Sequence, residues 1–80
     1  MKHTKLYFLG VSMKPLDALH DLLDNPVLVR LKNGMELHGK LKAFDIHINL
    51  VLEEAEFLDG DVSKKFKRLF LRGDMILFVS

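Results

Sequence analysis

Residues 43–52, AFDIHINLVL, decide how the rest of the chain is read. Their apolar positions alternate with period two, which predicts a β-strand, with Ile46, Ile48, Leu50 and Leu52 on one face. The same stretch carries Asp45, His47 and Asn49, which a packed sheet has little use for. A strand that keeps three polar side chains at alternate positions points to a surface with chemistry on it.

Working outward, the segment before this strand repeats the two-residue period. Val27, Val29 and Leu31 alternate with Leu28, Arg30 and Lys32; Asn33-Gly34 is a strong hairpin signal; and MELHGKLKAF returns with Leu37, Leu41 and Ala43 on the apolar face. Gly39 falls on that inward set, where a missing side chain lets a strand bend or another backbone come close. Upstream, KPLDALHDLLDNP reads as a short helix. Pro15 suits its first position, Asp17 its first turn, and Leu16, Leu19, Leu22 and Leu23 form one stripe, with Asn25-Pro26 as the stop. So short a helix has to pack on the sheet to persist. His20 falls on its outer surface.

Downstream, the third strand is expected to run from Ile46 to Phe57, ending in acids. Asp59-Gly60-Asp61 makes a turn, and KKFKRLFLRGDMILFVS gives two more strands broken at Arg72-Gly73-Asp74. Both are apolar on both faces near the break. A small domain cannot bury them alone, so one copy's fourth strand is expected to pair with another's fifth in a closed ring.

Composition agrees with this. Eighty residues make one domain of limited core, and with no cysteine there is neither a disulfide nor a thiolate metal site to support it, which leaves oligomerisation as the leading stabiliser. The absence of cysteine, and of any apolar run near the roughly 18 residues of a membrane span, predicts a soluble, cytoplasmic protein without membrane contact. Residues 1–12, MKHTKLYFLGVS, hold Lys2 and Lys5 and no acid. They read as an N-terminal extension, either a flexible tail or an extra edge element, with Met13 an alternative start and only a faint likeness to a signal peptide. Residues 13–80 then form the domain proper, and there acids exceed bases by one. A role with nucleic acid therefore has to rest on a local pocket rather than on general basic charge.

The ordered set Gly34, Gly39, Asp45, His47, Asn49 and then Arg72, Gly73, Asp74 resembles the two motifs of the Sm and Sm-like (LSm) family, more closely its archaeal members, over about Pro15 to Val79. The Lys-His pair of the bacterial host-factor branch is missing near Arg72. The resemblance implies a mainly β Sm fold: a short N-terminal helix followed by a strongly bent five-stranded antiparallel sheet forming a small open barrel. It also implies a homo-oligomeric, heptameric ring binding uridine-rich single-stranded RNA at its pore, a ribonucleoprotein component in RNA processing with other RNA-processing proteins as further partners.

The residues support that reading on their own chemistry. His47 and Arg72 offer flat faces between which a base can stack. Asn49 can accept from N3–H of uracil and donate to O4, provided its amide is locked in one orientation; Asp45 and Asp74 are the candidate locks, with the backbone N–H of Gly73 or Asp74 reaching the base edge. The expected RNA-binding residues are thus Asp45, His47, Asn49, Arg72, Gly73 and Asp74. Taken singly, each has a plainer reading: an exposed strand histidine, a capping asparagine, a tight turn with an incidental ion pair. Only their conjunction is specific.

His38 and His47 could meet across strands, but two imidazoles without a carboxylate make a poor metal site, and no metal or cofactor is expected. Lys64, Lys65, Lys67 and Arg68 read first as a solvated strand start guarding an edge, and otherwise as a phosphate-directed surface. No activated nucleophile, paired carboxylates in a cleft or phosphate-binding glycine loop is present, so no enzyme is expected. The rival to RNA binding is a ring that serves only as a protein-assembly module with a vestigial pocket.

Overall fold

The computed structural model describes residues 14–80, and the expected extension at residues 1–12 lies outside them. One helix, α1 (Pro15–His20), precedes strands β1 (Pro26–Leu31), β2 (Glu36–Phe44), β3 (Leu50–Asp59), β4 (Val62–Leu71) and β5 (Ile76–Val79); a single 3-10 turn, Gly73–Met75, separates the last two. All pairings are antiparallel, in the order β4-β3-β2-β1-β5. The sheet is therefore open, with β4 and β5 as its two edges.

The alternation of β1 and β2 places Val27, Val29, Leu37 and Leu41 inside, joined by Leu50, Leu52 and Ala55 from β3 and by Leu19 of α1. Burying each of these valine and leucine side chains contributes about 1.5–3 kcal/mol, and all of them but Leu37 pack with Ala55 into one cluster that favours a curled sheet. Two irregularities let it curl. Glu54 has φ +52°, and across it the inward set of β3 shifts phase, from Leu50 and Leu52 to Ala55. Opposite this bend lies Gly39, where a Cβ would stand 3.2 Å from the Leu52 Cβ and 3.3 Å from the Ala55 Cα, and the β2–β3 register slips between His38 and Lys40. A second slip, between Leu41 and Ala43, turns Ala43 outward rather than onto the expected inner face.

Both expected tight turns are present. Gly34 (φ +91°) ends the β1–β2 connection, with Asn33 Oδ1 accepting from Met35 N–H at 3.0 Å, and Gly60 (φ +64°) with Asp61 links β3 to β4. The helix is shorter than the leucine spacing predicts. After His20 the chain makes successive tight turns. Asp24, at φ +65°, donates its N–H to Leu41 O (2.7 Å) and its carboxylate accepts from Lys42 Nζ (2.7 Å), so the chain docks on β2 instead of continuing as helix. Leu19 is buried, Leu22 and Leu23 pack against the core, and Leu16 stays exposed.

Candidate nucleic-acid interface

Residues 43–52 are not one strand. β2 ends at Phe44 and β3 begins at Leu50, so Asp45, Ile46, His47, Ile48 and Asn49 form the loop between them, and Ile46 is 73% exposed rather than inward-facing. The reason is local hydrogen bonding. An aspartate side chain offers the backbone an alternative to the sheet ladder. Here Asp45 Oδ1 accepts from His47 N–H (2.8 Å) and Asn49 N–H (3.1 Å), while Ile48 N–H closes on Asp45 O (3.0 Å) and Asp45 N–H on Asn49 O (3.2 Å). Ile48 adopts φ +63°, a left-handed conformation that a β-branched residue reaches only under constraint, at about 1–3 kcal/mol. Its side chain is half-buried against the core, which supplies that constraint. With Ile48 anchored inward, His47 and Asn49 belong to the outer rim of the loop.

The second sequence motif meets this loop through Gly73. A Cβ there would fall 1.9 Å from the His47 carbonyl oxygen, so only glycine permits the approach. The Gly73 N–H donates to Asn49 Oδ1 at 2.7 Å, and Asn49 Nδ2 donates to Asp45 Oδ2 at 2.9 Å. The carboxamide is therefore held at both ends, with its oxygen toward Gly73 and its nitrogen toward Asp45. One N–H and one lone pair remain for a ligand. The bond from the Asn49 side chain, reinforced by the backbone N–H groups of Asn49 and His47, holds the Asp45 carboxyl below the ordinary aspartate range and so keeps the lock ionised.

Asp74, the other expected lock, does a different job: its Oδ2 accepts from Arg72 Nη2 at 2.9 Å, tethering the exposed guanidinium. The Gly73 N–H is likewise taken by Asn49 and does not point freely at a base edge. His47, Asn49, Arg72, Gly73 and Asp74 line one open depression of about 520 Å³, with Asp45 behind it as the support of Asn49. All six predicted residues thus converge, although from two loops and not from strand faces. Ile48 also takes part, and the sequence does not announce it, because its apolar side chain fits the strand pattern equally well.

Among the described residues no group of three His, Asp or Glu side chains is placed to hold a metal ion, and no helix is long and apolar enough to cross a membrane.

A short helix, an open five-stranded bent sheet and an Asp-x-His-x-Asn loop locked to Arg-Gly-Asp define the Sm-like class; the LSM domain model matches residues 17–80, and the chain belongs to that family. Its similarity lies with archaeal members. An Sm-like protein of Methanosarcina acetivorans is 53% identical over 71 residues, covering 88% of this chain and 99% of that one. The solved structure of the Pyrococcus abyssi Sm protein in complex with a uridine heptamer superposes with a TM-score of 0.79 at 46% identity, covering 85% of this chain and 97% of that chain. A heptameric archaeal Sm protein gives 0.74 at 38% identity, covering 79% and 93%.

Proposed function

We propose that the protein forms a homo-oligomeric, heptameric ring that binds uridine-rich single-stranded RNA at its pore, in the cytoplasm and without catalysis, and presents that RNA to other RNA-processing proteins as a scaffold or chaperone. The observation that carries the reading is the Asn49 amide fixed between Asp45 and Gly73. In that orientation Oδ1 accepts the N3–H of a uracil and Nδ2 donates to its O4. Cytosine in the same pose sets acceptor against acceptor and donor against donor. His47 and Arg72 add stacking, which is worth about 1–3 kcal/mol per base and is indifferent to base identity. The uridine heptamer held by the Pyrococcus abyssi relative and the heptameric state of another archaeal relative support ligand and ring alike. Repeating one weak pocket around a ring raises the effective concentration for each further nucleotide, so affinity depends on the closed assembly.

Fluorescence anisotropy with short oligo(U), oligo(C) and oligo(A) tests this. Preference for oligo(U) is expected, and Asn49→Ala should abolish the preference while native mass spectrometry still shows the ring. Equal, weak binding to all three by the unaltered protein would favour a ring that serves only as a protein-assembly module.

A further inference from the structure

The basic run on β4 has no part in the base pocket, and its position suggests a separate task. β4 is ten residues long and is an edge of the sheet; β5, the opposite edge, is four residues long. If neighbours in the ring join through these edges, a step that rests on the reading above, β5 can cover less than half of β4. The covered part is the apolar end: Phe70 and, on the other edge, Leu77 are each 62% exposed in the protomer. The remainder, from Val62 through Lys67, keeps a row of unpaired backbone groups in the finished ring.

That remainder is a competent pairing surface. Val62 and Phe66 are exposed, and Phe66 stacks on Phe57 at 5.9 Å between ring centres, which stiffens the hairpin. An edge of this kind recruits another strand, most readily the same strand of a second copy through a two-fold contact. The lysines oppose this. In an antiparallel pairing centred on Phe66, Lys65 faces Lys67 and Lys64 faces Arg68 of the other copy; shifted to centre between Lys65 and Phe66, Lys64 faces Lys67. Directly opposed like charges destabilise a strand pair. Nor are these lysines taken up in ion pairs within the protomer, although Glu54 and Glu56 line the same surface depression as Lys65 and Lys67. Arg68 pairs with Glu53 at 2.8 Å, but Lys64, Lys65 and Lys67 join none of the ion pairs among the described residues. The Glu56 carboxylate, across from Lys65, accepts from Ser63 Oγ instead, and Lys64 Nζ sits over the Phe57 ring at 6.0 Å.

We infer that Lys64, Lys65 and Lys67 confine self-association to single rings, by refusing a second ring at the uncovered half of β4. The test compares the unaltered protein with the triple variants Lys64→Thr/Lys65→Thr/Lys67→Thr and Lys64→Arg/Lys65→Arg/Lys67→Arg by native mass spectrometry and sedimentation velocity. The threonine variant should shift to two or more ring masses, while the arginine variant and the unaltered protein stay at one. A threonine variant that remains a single ring at the same concentration and salt overturns the inference. So does one that loses oligo(U) affinity with no change of mass, which would make the run an RNA-contacting surface. Should the threonine variant not fold, the unaltered protein in a salt series decides: near 1 M salt, where charges are screened within about 3 Å, ring pairing should appear, and its absence counts against the inference. An unaltered protein that runs as a monomer refutes the ring reading itself, a failure distinct from the others.

Discussion

Asp45 touches Asn49 and not the open depression, so in the proposed pocket it would act on a base only through Asn49, as a positioning residue whose removal should be read in selectivity. Asp45→Ala removes one of the two holds on the carboxamide and leaves the Gly73 N–H alone to orient it, so the ratio of oligo(U) to oligo(C) binding is expected to fall while stacking by His47 and Arg72 keeps residual affinity for both; paired anisotropy titrations check this. The pH dependence follows from the lowered Asp45 pKa. A carboxyl depressed in the folded state contributes its order above the unfolded value, about 3.9, and loses it as pH falls through the lower folded value. The uracil-over-cytosine ratio should therefore retain the Asp45 contribution at pH 5 and lose it only well into the acid range. At Gly73 the expectation is steric. Gly73→Ala drives a methyl into the His47 carbonyl, and overpacking of this kind costs about 1–3 kcal/mol, read as a lowered melting temperature together with lost oligo(U) binding. That these residues fall into two motifs was legible in the sequence, because Asp-x-His-x-Asn and Arg-Gly-Asp are each contiguous patterns. Their placement was not, since Asp-x-His-x-Asn with isoleucines between reads as a strand until one knows that Asp45 captures two backbone N–H groups and that Ile48 turns left-handed.

At the scale of elements, bending matters more than strand count. β1, β2 and both glycine turns follow from alternation and from Asn33-Gly34 and Gly60-Asp61, so the hairpins were readable in advance. The helix end was not, because Asp24 leaves the helix for a tertiary bond to Leu41 O that no local pattern announces. The bend of β3 at Glu54 was hidden for the same reason: a non-glycine residue at positive φ carries no signature, and only Gly39 on the facing strand hinted at a close approach. Gly39→Val should push Leu52 and Ala55 away and open that bend, lowering the melting temperature and, since the loop that carries Asn49 leads directly into β3, weakening oligo(U) binding as well. Leu52→Ala, at a side chain with no exposed surface, should destabilise by about 2–5 kcal/mol in urea unfolding without changing which base is preferred.

For the whole molecule, the apolar faces left open at the two sheet edges were visible in the sequence as runs of consecutive hydrophobic residues, and they are exposed where that reading expects them. Leu77→Asp, placed on one edge, should leave the isolated sheet intact by circular dichroism while native mass spectrometry shows dissociation, and oligo(U) affinity should fall with the ring. The two loops that make the pocket are 24 residues apart in sequence, yet a single backbone proton, the one Gly73 gives to Asn49, belongs to both. Its rate of replacement by deuterium therefore reports in one signal whether the loops are joined. Exchange at Gly73 should quicken in an Asp45 variant and slow when a uridine strand is held, so the protein carries its own label for following pocket assembly in solution.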